Sequence, residues 1–171
     1  QANKFTEDID EMEKMLNEYL QFTSLSYLDK DELFNLSDLI EDIIKKYENK
    51  NISKSISSRV YFNGRKSLIK RCINNLIDNS IKYGDQVKIE LSKKNNNLFI
   101  KIEDDGPGIP EQEYENVFKP FYKIDKARSD SKSSVGLGLS IASDIIQSHG
   151  GNIKLEKSSL NGLSVNIFLP V

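Results

Sequence analysis

The apolar residues of this chain switch repeatedly between two periods, the 3.6-residue repeat of a helix and the two-residue alternation of a strand. From Asp31 onward the pattern predicts helices at 37–47, 67–83 and 137–149, strands at 32–36 and 59–62, and hairpins at 87–103 and 152–169. Ser37 is the predicted N-cap of the first helix, and Gly84 ends the second. Because helices and strands are segregated rather than strictly alternating, we expect a two-layer α/β sandwich, a mixed sheet of about five strands packed on three helices.

Residues 1–26 precede this region and carry a helical pattern of their own. Apolar side chains recur at steps of four, three, four and three, the heptad spacing of a coiled-coil seam: Phe5, Ile9, Met12, Leu16 and Tyr19. A single helix of about 20 residues cannot bury such a stripe alone. We therefore expect the seam to pack on a partner chain, a further helix or the following domain. Residues 24–30 are the predicted linker to that domain, which we place at 27–171.

Composition excludes several kinds of protein. A chain of 171 residues with a net charge of -2 is one domain, or one domain plus an appended element, and has no basic excess for a nucleic-acid partner. The single cysteine, Cys72, excludes an internal disulfide, and its apolar helical face predicts a core position. No apolar run approaches the ~20 residues of a membrane span, and no signal peptide pattern is present. We therefore expect these residues to be soluble and cytoplasmic.

Two asparagines interrupt the apolar helix at 67–83. Asn75 and Asn79 are four residues apart, so both amides project from one face of the helix, next to Tyr83. Asparagine is a poor helix former, and burying its amide is costly unless the amide has a polar partner. The pattern leaves two alternatives, a solvated helix face or a binding site for a polar ligand.

Closely spaced glycines occur at two further places. Asp104 is followed by Gly106 and Gly108, which lack a Cβ and let a planar ring approach the backbone. An ionised carboxylate accepts hydrogen bonds only, so it suits the amine of adenine and repels the oxygen of guanine; a simple Asp-Gly turn is the alternative. Gly136 and Gly138 open the helix at 137–149, whose N-terminal N–H groups are suited to phosphate oxygens.

In this order and at these spacings, four segments resemble the N, G1, F and G2 boxes of the histidine kinase ATP-binding domain: Asn75–Ser80, Asp104–Ile109, Phe118–Phe121 and Gly136–Leu139. Within that family the chain resembles the osmosensor (EnvZ) type, as indicated by Ile69-Lys70-Arg71, Tyr83-Gly84 and Glu103–Ile109. The resemblance implies the GHKL-type fold, with residues 1–26 as the second helix of a dimerisation hairpin.

The resemblance also implies roles for individual residues. Asn79 would be the Mg²⁺ ligand, supported by Asn75, with Asp104 on adenine and Asp105 at a variable position. The implied ATP-binding residues are Asn75, Asn79, Lys82, Tyr83, Asp104, Gly106, Gly108, Ile109, Phe118, Phe121, Lys123, Gly136, Leu137, Gly138 and Leu139. Residues 119–135 would form a lid whose Lys123, Lys126 and Arg128 reach the γ-phosphate. The implied catalytic residues are Asn75, Asn79, Lys82 and Arg128. Ser134 replaces a glycine that is usual in the lid.

The implied function is transfer of the γ-phosphate of Mg·ATP to a histidine on the first hairpin helix of a homodimer. The phosphate then passes to a response-regulator receiver domain, and the parent protein is anchored in a bacterial inner membrane. The sole histidine, His149, lies beyond the last motif, so we expect it to be structural. Related hydrolases have a glutamate as general base four residues before the magnesium asparagine. That position is Asn75 here, which favours transfer over hydrolysis. An ATPase and a nucleotide-binding module without transfer activity are the alternatives.

Overall fold

The computed structural model describes residues 2–124 and 136–171. Its helices and strands, in chain order, are α1 Ala2–Leu28, β1 Glu32–Asn35, α2 Leu36–Lys45, β2 Asn51–Ile56, β3 Tyr61–Gly64, α3 Lys66–Tyr83, β4 Gln86–Lys94, β5 Asn97–Asp104, α4 Gly138–Ser148, β6 Asn152–Lys157 and β7 Leu163–Pro170. Two short 3₁₀ turns, Glu111–Glu113 and Asn116–Phe118, lie between β5 and α4.

The main sheet has five strands in the order β2-β4-β5-β7-β6. β2 is parallel to β4, and the remaining pairs are antiparallel, so the predicted mixed sheet is confirmed. β1 and β3 form a separate two-stranded antiparallel sheet. β2 was not predicted, because it is an edge strand whose side chains are exposed or half-buried, which removes the apolar alternation typical of a strand.

The core lies between one face of the five-stranded sheet and helices α2, α3 and α4. Alternate side chains of the central strands point into it: Val87, Ile89 and Leu91 from β4, Leu98, Ile100 and Ile102 from β5, and Val165, Ile167 and Leu169 from β7. Each such side chain contributes about 1.5–3 kcal/mol on burial. Cys72 of α3 is fully buried, and burial raises the pKa of its thiol to about 12, which confirms the predicted core role.

The N-cap of α2 differs from the prediction. The helix begins one residue earlier, and the side-chain oxygen of Asn35 accepts the N–H groups of Ser37 at 3.1 Å and Asp38 at 3.4 Å. Ser37 is buried, and its hydroxyl donates to the carbonyl of Ser57 and accepts the N–H of Val60. The prediction of Ser37 as N-cap was therefore wrong, because its hydroxyl satisfies backbone groups of the β2–β3 connection instead.

Helix α1 extends to Leu28, so most of the predicted linker is helical. The five heptad positions are 49–70% exposed. Met15 and Phe22 instead pack partly against the core, and the Arg71 guanidinium donates to the backbone carbonyl of Glu18 at 2.9 Å. One side of α1 therefore contacts α3, while its heptad seam faces outward. Among the described residues, no helix combines the length and apolar character that crossing a membrane requires.

Candidate functional site

The two asparagines of α3 lie against the beginning of α4. A methyl group placed on Gly138 would be 3.6 Å from Nδ2 and 3.8 Å from Oδ1 of Asn79, and 4.0 Å from Cβ of Asn75. The residue before the helix, Leu137, makes no side-chain capping hydrogen bond. The start of α4, the amide of Asn79 and the Cβ of Asn75 therefore lie close together, although about 60 residues separate them in the sequence.

Asp104 is the last residue of β5 and is only 4% exposed. Its Oδ1 accepts the N–H of Gly106 at 2.9 Å and of Leu163 at 3.1 Å. The side chain of Ser80 lies close enough to lower the pKa of this carboxylate. Burial raises the pKa of Asp104 above its usual range, and the charge of Asp105 adds to the increase. The hydrogen bonds oppose it only in part. Because Ser80 follows Asn79 directly, the end of α3 joins the carboxylate to the asparagine region.

The backbone around Asp104 is packed so closely that three positions have no room for a side chain. A methyl group would lie 2.6 Å from the carbonyl oxygen of Tyr83 at Gly106, 2.8 Å from Oδ1 of Asp105 at Gly84, and 2.3 Å from Oδ1 of Asp104 at Gly162. These contacts bring together the ends of α3 and β5 and the β6–β7 turn. Gly106 is thus required by the close packing of its backbone neighbours, in addition to the approach of a planar ring that the sequence pattern predicts.

The F-box segment meets the glycines that precede α4. The N–H of Phe121 donates to the carbonyl of Gly136 at 3.0 Å, and both residues have positive φ, 64° and 78°. Phe118 and Leu139 are half-buried and pack on the core, whereas the side chain of Leu137 is itself a core residue. Phe121 is 55% exposed. The backbone at Gly136 is therefore held beside the F-box. The side chain of Leu137 is buried in the core, so only its backbone could contact a ligand.

The other predicted residues are more dispersed. Lys82 and Tyr83 are exposed at the end of α3, with the lysine Nζ 5.1 Å from the centre of the tyrosine ring. Ile109 and Lys123 are half-buried, and Gly108 has the positive φ of 70° that favours glycine. Three residues named in the sequence analysis lie outside the described residues: Lys126, Arg128 and Ser134.

Three residues of this region were missed by sequence reasoning. Ser80 and Gly162 contact Asp104, and Asp105 accepts the backbone N–H groups of Asp85 and Gln86, each at 2.8 Å. The Asn-Gly pair at 161–162 is a turn signal, but nothing local indicates that the turn packs on Asp104. Asp105 occupies a position for which the resemblance implies no contact.

His149 has the structural role that the sequence predicted. Its Nε2 accepts the N–H of Arg65 at 3.0 Å, and its Nδ1 is 2.7 Å from the carbonyl of Ile145, which fixes the neutral tautomer with the proton on Nδ1. Its ring also packs on Phe62, with centroids 5.8 Å apart. Burial lowers the pKa of His149, so the neutral ring joins the end of α4 to the beginning of α3.

This arrangement predicts a pH dependence of stability. Because the folded-state pKa of His149 is below its ordinary value of 6.5, the unfolded chain binds more protons between the two values. The stabilisation is fully present above pH 6.5 and is lost as the pH falls through the folded-state value. Urea unfolding from pH 7.5 downward should show this loss, and His149→Gln should show less of it, since glutamine does not titrate. An equal dependence in both proteins would contradict the assignment.

Comparison with known proteins decides the family. The family model described as histidine kinase-, DNA gyrase B-, and HSP90-like ATPase matches residues 64–171, which include every segment of the site. This chain belongs to that family. The fold agrees: the catalytic domain of the histidine kinase ThkA superposes with a TM-score of 0.68 at 27% identity, covering 82% of this chain and 95% of that one.

Curated relatives of this ATPase domain are sensor histidine kinases. GtrS of Pseudomonas aeruginosa is 32% identical over 169 residues, which are 98% of this chain and 35% of the relative. ArlS of Staphylococcus aureus is 48% identical over 88 residues, 50% of this chain and 19% of the relative. This chain thus contains the ATP-binding catalytic domain of the sensor histidine kinase type and spans about a third or less of the length of these relatives.

Proposed function

We propose that the domain binds Mg·ATP and donates the γ-phosphate to a histidine of a dimerisation helix, in two-component signalling. The observation that carries this proposal is the position of α3. Its Asn79 lies against Gly138 at the start of α4, and at the C-terminal end of the helix a methyl group on Gly84 would be 3.0 Å from Cβ of the buried Asp104. One helix thereby borders both a carboxylate suited to adenine and a helix N-terminus suited to phosphate.

The residues present fit a magnesium nucleotide. Mg²⁺ prefers oxygen ligands and keeps several waters, so one amide oxygen, that of Asn79, is adequate when phosphates supply others. When bound, the ion would neutralise charge on the phosphates. Asp104 would orient the base, and the N–H groups at the start of α4 would bind phosphate oxygens.

Transfer is favoured over hydrolysis by the chemistry of Asn75. It borders Gly138 together with Asn79, where a general base for water would be needed, and an amide does not accept a proton at neutral pH. A histidine imidazole is a stronger nucleophile than water and does not need that base. The candidate lid cations, Lys123 and Arg128, would assist at the γ-phosphate, and Lys82 would contact phosphate from the end of α3.

Helix α1 supports the proposal about partners. Its heptad seam is exposed, with Phe5 at 70% and Met12 at 67%, as expected of one helix of a hairpin whose other helices are not present. We propose that residues 1–26 belong to the dimerisation hairpin of a homodimeric, osmosensor-type kinase. Its acceptor histidine lies on the first hairpin helix, its phosphate passes to a receiver domain, and its parent is anchored in a bacterial inner membrane.

A two-part experiment tests the function. Mg·ATP should raise the melting temperature of the domain in proportion to the logarithm of its concentration, and Mg·GTP should do so less, because Asp104 selects for adenine. The domain should then transfer acid-labile label from γ-labelled ATP to a separately supplied acceptor helix. Release of inorganic phosphate without transfer would favour the ATPase. A melting shift with neither reaction would favour a binding module, and the absence of any shift would exclude the nucleotide site.

A further inference from the structure

Asp105 lies at the point where the β4–β5 ladder stops. The last paired residues of the ladder are Val87 and Asp104. One residue further, the N–H of Asp105 donates to the carbonyl of Gln86 at 3.2 Å. The hydrogen bond in the opposite direction, from Gln86 to Asp105, is accepted by a side chain instead of a carbonyl. Oδ1 of Asp105 accepts the N–H of Gln86 and that of Asp85, each at 2.8 Å. The carboxylate therefore prolongs the sheet contact into the turn that follows α3.

That turn connects the two halves of the proposed nucleotide site. Helix α3 ends at Tyr83, and Gly84 then adopts an extended conformation with φ -123°. The ends of α3 and β5 are in backbone contact, since a methyl group would lie 3.0 Å from Cβ of Asp104 at Gly84 and 2.6 Å from the Tyr83 carbonyl at Gly106. With so little clearance, any shift of the turn changes the position of α3 relative to Asp104.

We infer that Asp105 is a positioning residue for the nucleotide site: by holding the turn at 84–86, its carboxylate sets the spacing between the adenine acceptor Asp104 and the end of α3 that carries Asn79, Lys82 and Tyr83. This inference rests on the proposed function. Asp105 acts through the backbone and does not touch the nucleotide. The contacts it makes require an acceptor oxygen at this position, and they do not require a negative charge.

The distinction between oxygen and charge defines the variants. Asp105→Ala removes the acceptor and should weaken Mg·ATP binding by about ten-fold, the order expected for the loss of two hydrogen bonds of ordinary strength. Asp105→Asn should bind Mg·ATP within about two-fold of the parent, because the amide oxygen has lone pairs for both N–H groups. Asp85→Ala is the matched control, since it removes a charge from the same turn but keeps the backbone N–H groups, and it should bind like the parent.

Calorimetric titration with Mg·ATP and with Mg·GTP provides the decisive readout. Asp105→Ala should narrow the preference for adenine over guanine, which a uniform loss of folded protein would not do. Its amide N–H groups at 85 and 86 should also exchange faster with solvent. Unchanged affinity in Asp105→Ala would overturn the inference, as would equal weakening in Asp85→Ala.

The failure of this inference is distinguishable from failure of the proposed function. If the unsubstituted domain does not bind Mg·ATP, the proposed function and the role of Asp105 are both overturned. If the parent binds and Asp105→Ala does not fold, Asp105→Asn decides: retained affinity supports the acceptor role, and weakened affinity overturns it.

Discussion

Replacing Asn79 by alanine should abolish phosphate transfer to a supplied acceptor helix. The amide of Asn79 is next to Gly138, where the proposed triphosphate and its metal ion would lie, and alanine offers no oxygen in its place. Removal of one such polar group from a preorganised site costs about 10²–10³-fold in rate. The measurement is the initial rate of acid-labile labelling, together with the affinity for ATP in the presence and absence of Mg²⁺. The variant should lose the enhancement that Mg²⁺ provides.

Asn74→Ala is the matched control for this variant. Asn74 is on the same helix and equally half-buried, but at 3.6 residues per turn it lies about 140° around the helix from Asn79. It should transfer phosphate at the rate of the parent. Both proteins should melt near the temperature of the parent, so that any difference between them reports on the site. Full transfer activity in Asn79→Ala would remove Asn79 from the mechanism.

The largest effect on stability is expected from Gly162→Ala. The added methyl group would lie 2.3 Å from Oδ1 and 2.4 Å from the carbonyl oxygen of Asp104, and 2.6 Å from the nitrogen of Gly106. Two of these atoms are backbone, and the carboxylate is buried, so relief requires movement of the β6–β7 turn or the end of β5. Overpacking of this kind costs about 1–3 kcal/mol or more. The free energy of urea unfolding should fall by that amount, and affinity for Mg·ATP should fall with it because Asp104 is displaced.

Gly138→Ala separates stability from binding. Its methyl group would meet Asn79 at an ordinary van der Waals distance of 3.6 Å, and alanine is favoured over glycine within a helix. Stability should therefore be retained or raised, whereas Mg·ATP binding should weaken if phosphate oxygens approach this backbone. Equal unfolding free energies for Gly162→Ala and the parent would contradict the packing argument.

The sequence predicted the parts of this molecule that depend on local pattern. The helix ending at Gly84 and the two hairpins follow from apolar periodicity and turn residues, which act over a few positions. The mixed five-stranded sheet on three helices was predicted and is confirmed. The N-cap of α2 was missed because Asn35 and Ser37 are both good capping residues, and a contact with Ser57, 20 residues away, decides between them.

The helices, the hairpins and the four motif segments can be read from the chain alone, since each depends on neighbours within one or two turns of chain. Which of those segments meet in space depends on the packing of the whole fold. Asp104 binds Leu163, 59 residues away, and Arg65 binds His149, 84 residues away. The role of Asp105 likewise arises only when β5 pairs with β4 and ends beside α3. Such contacts follow from the burial of the whole core, which no local period encodes.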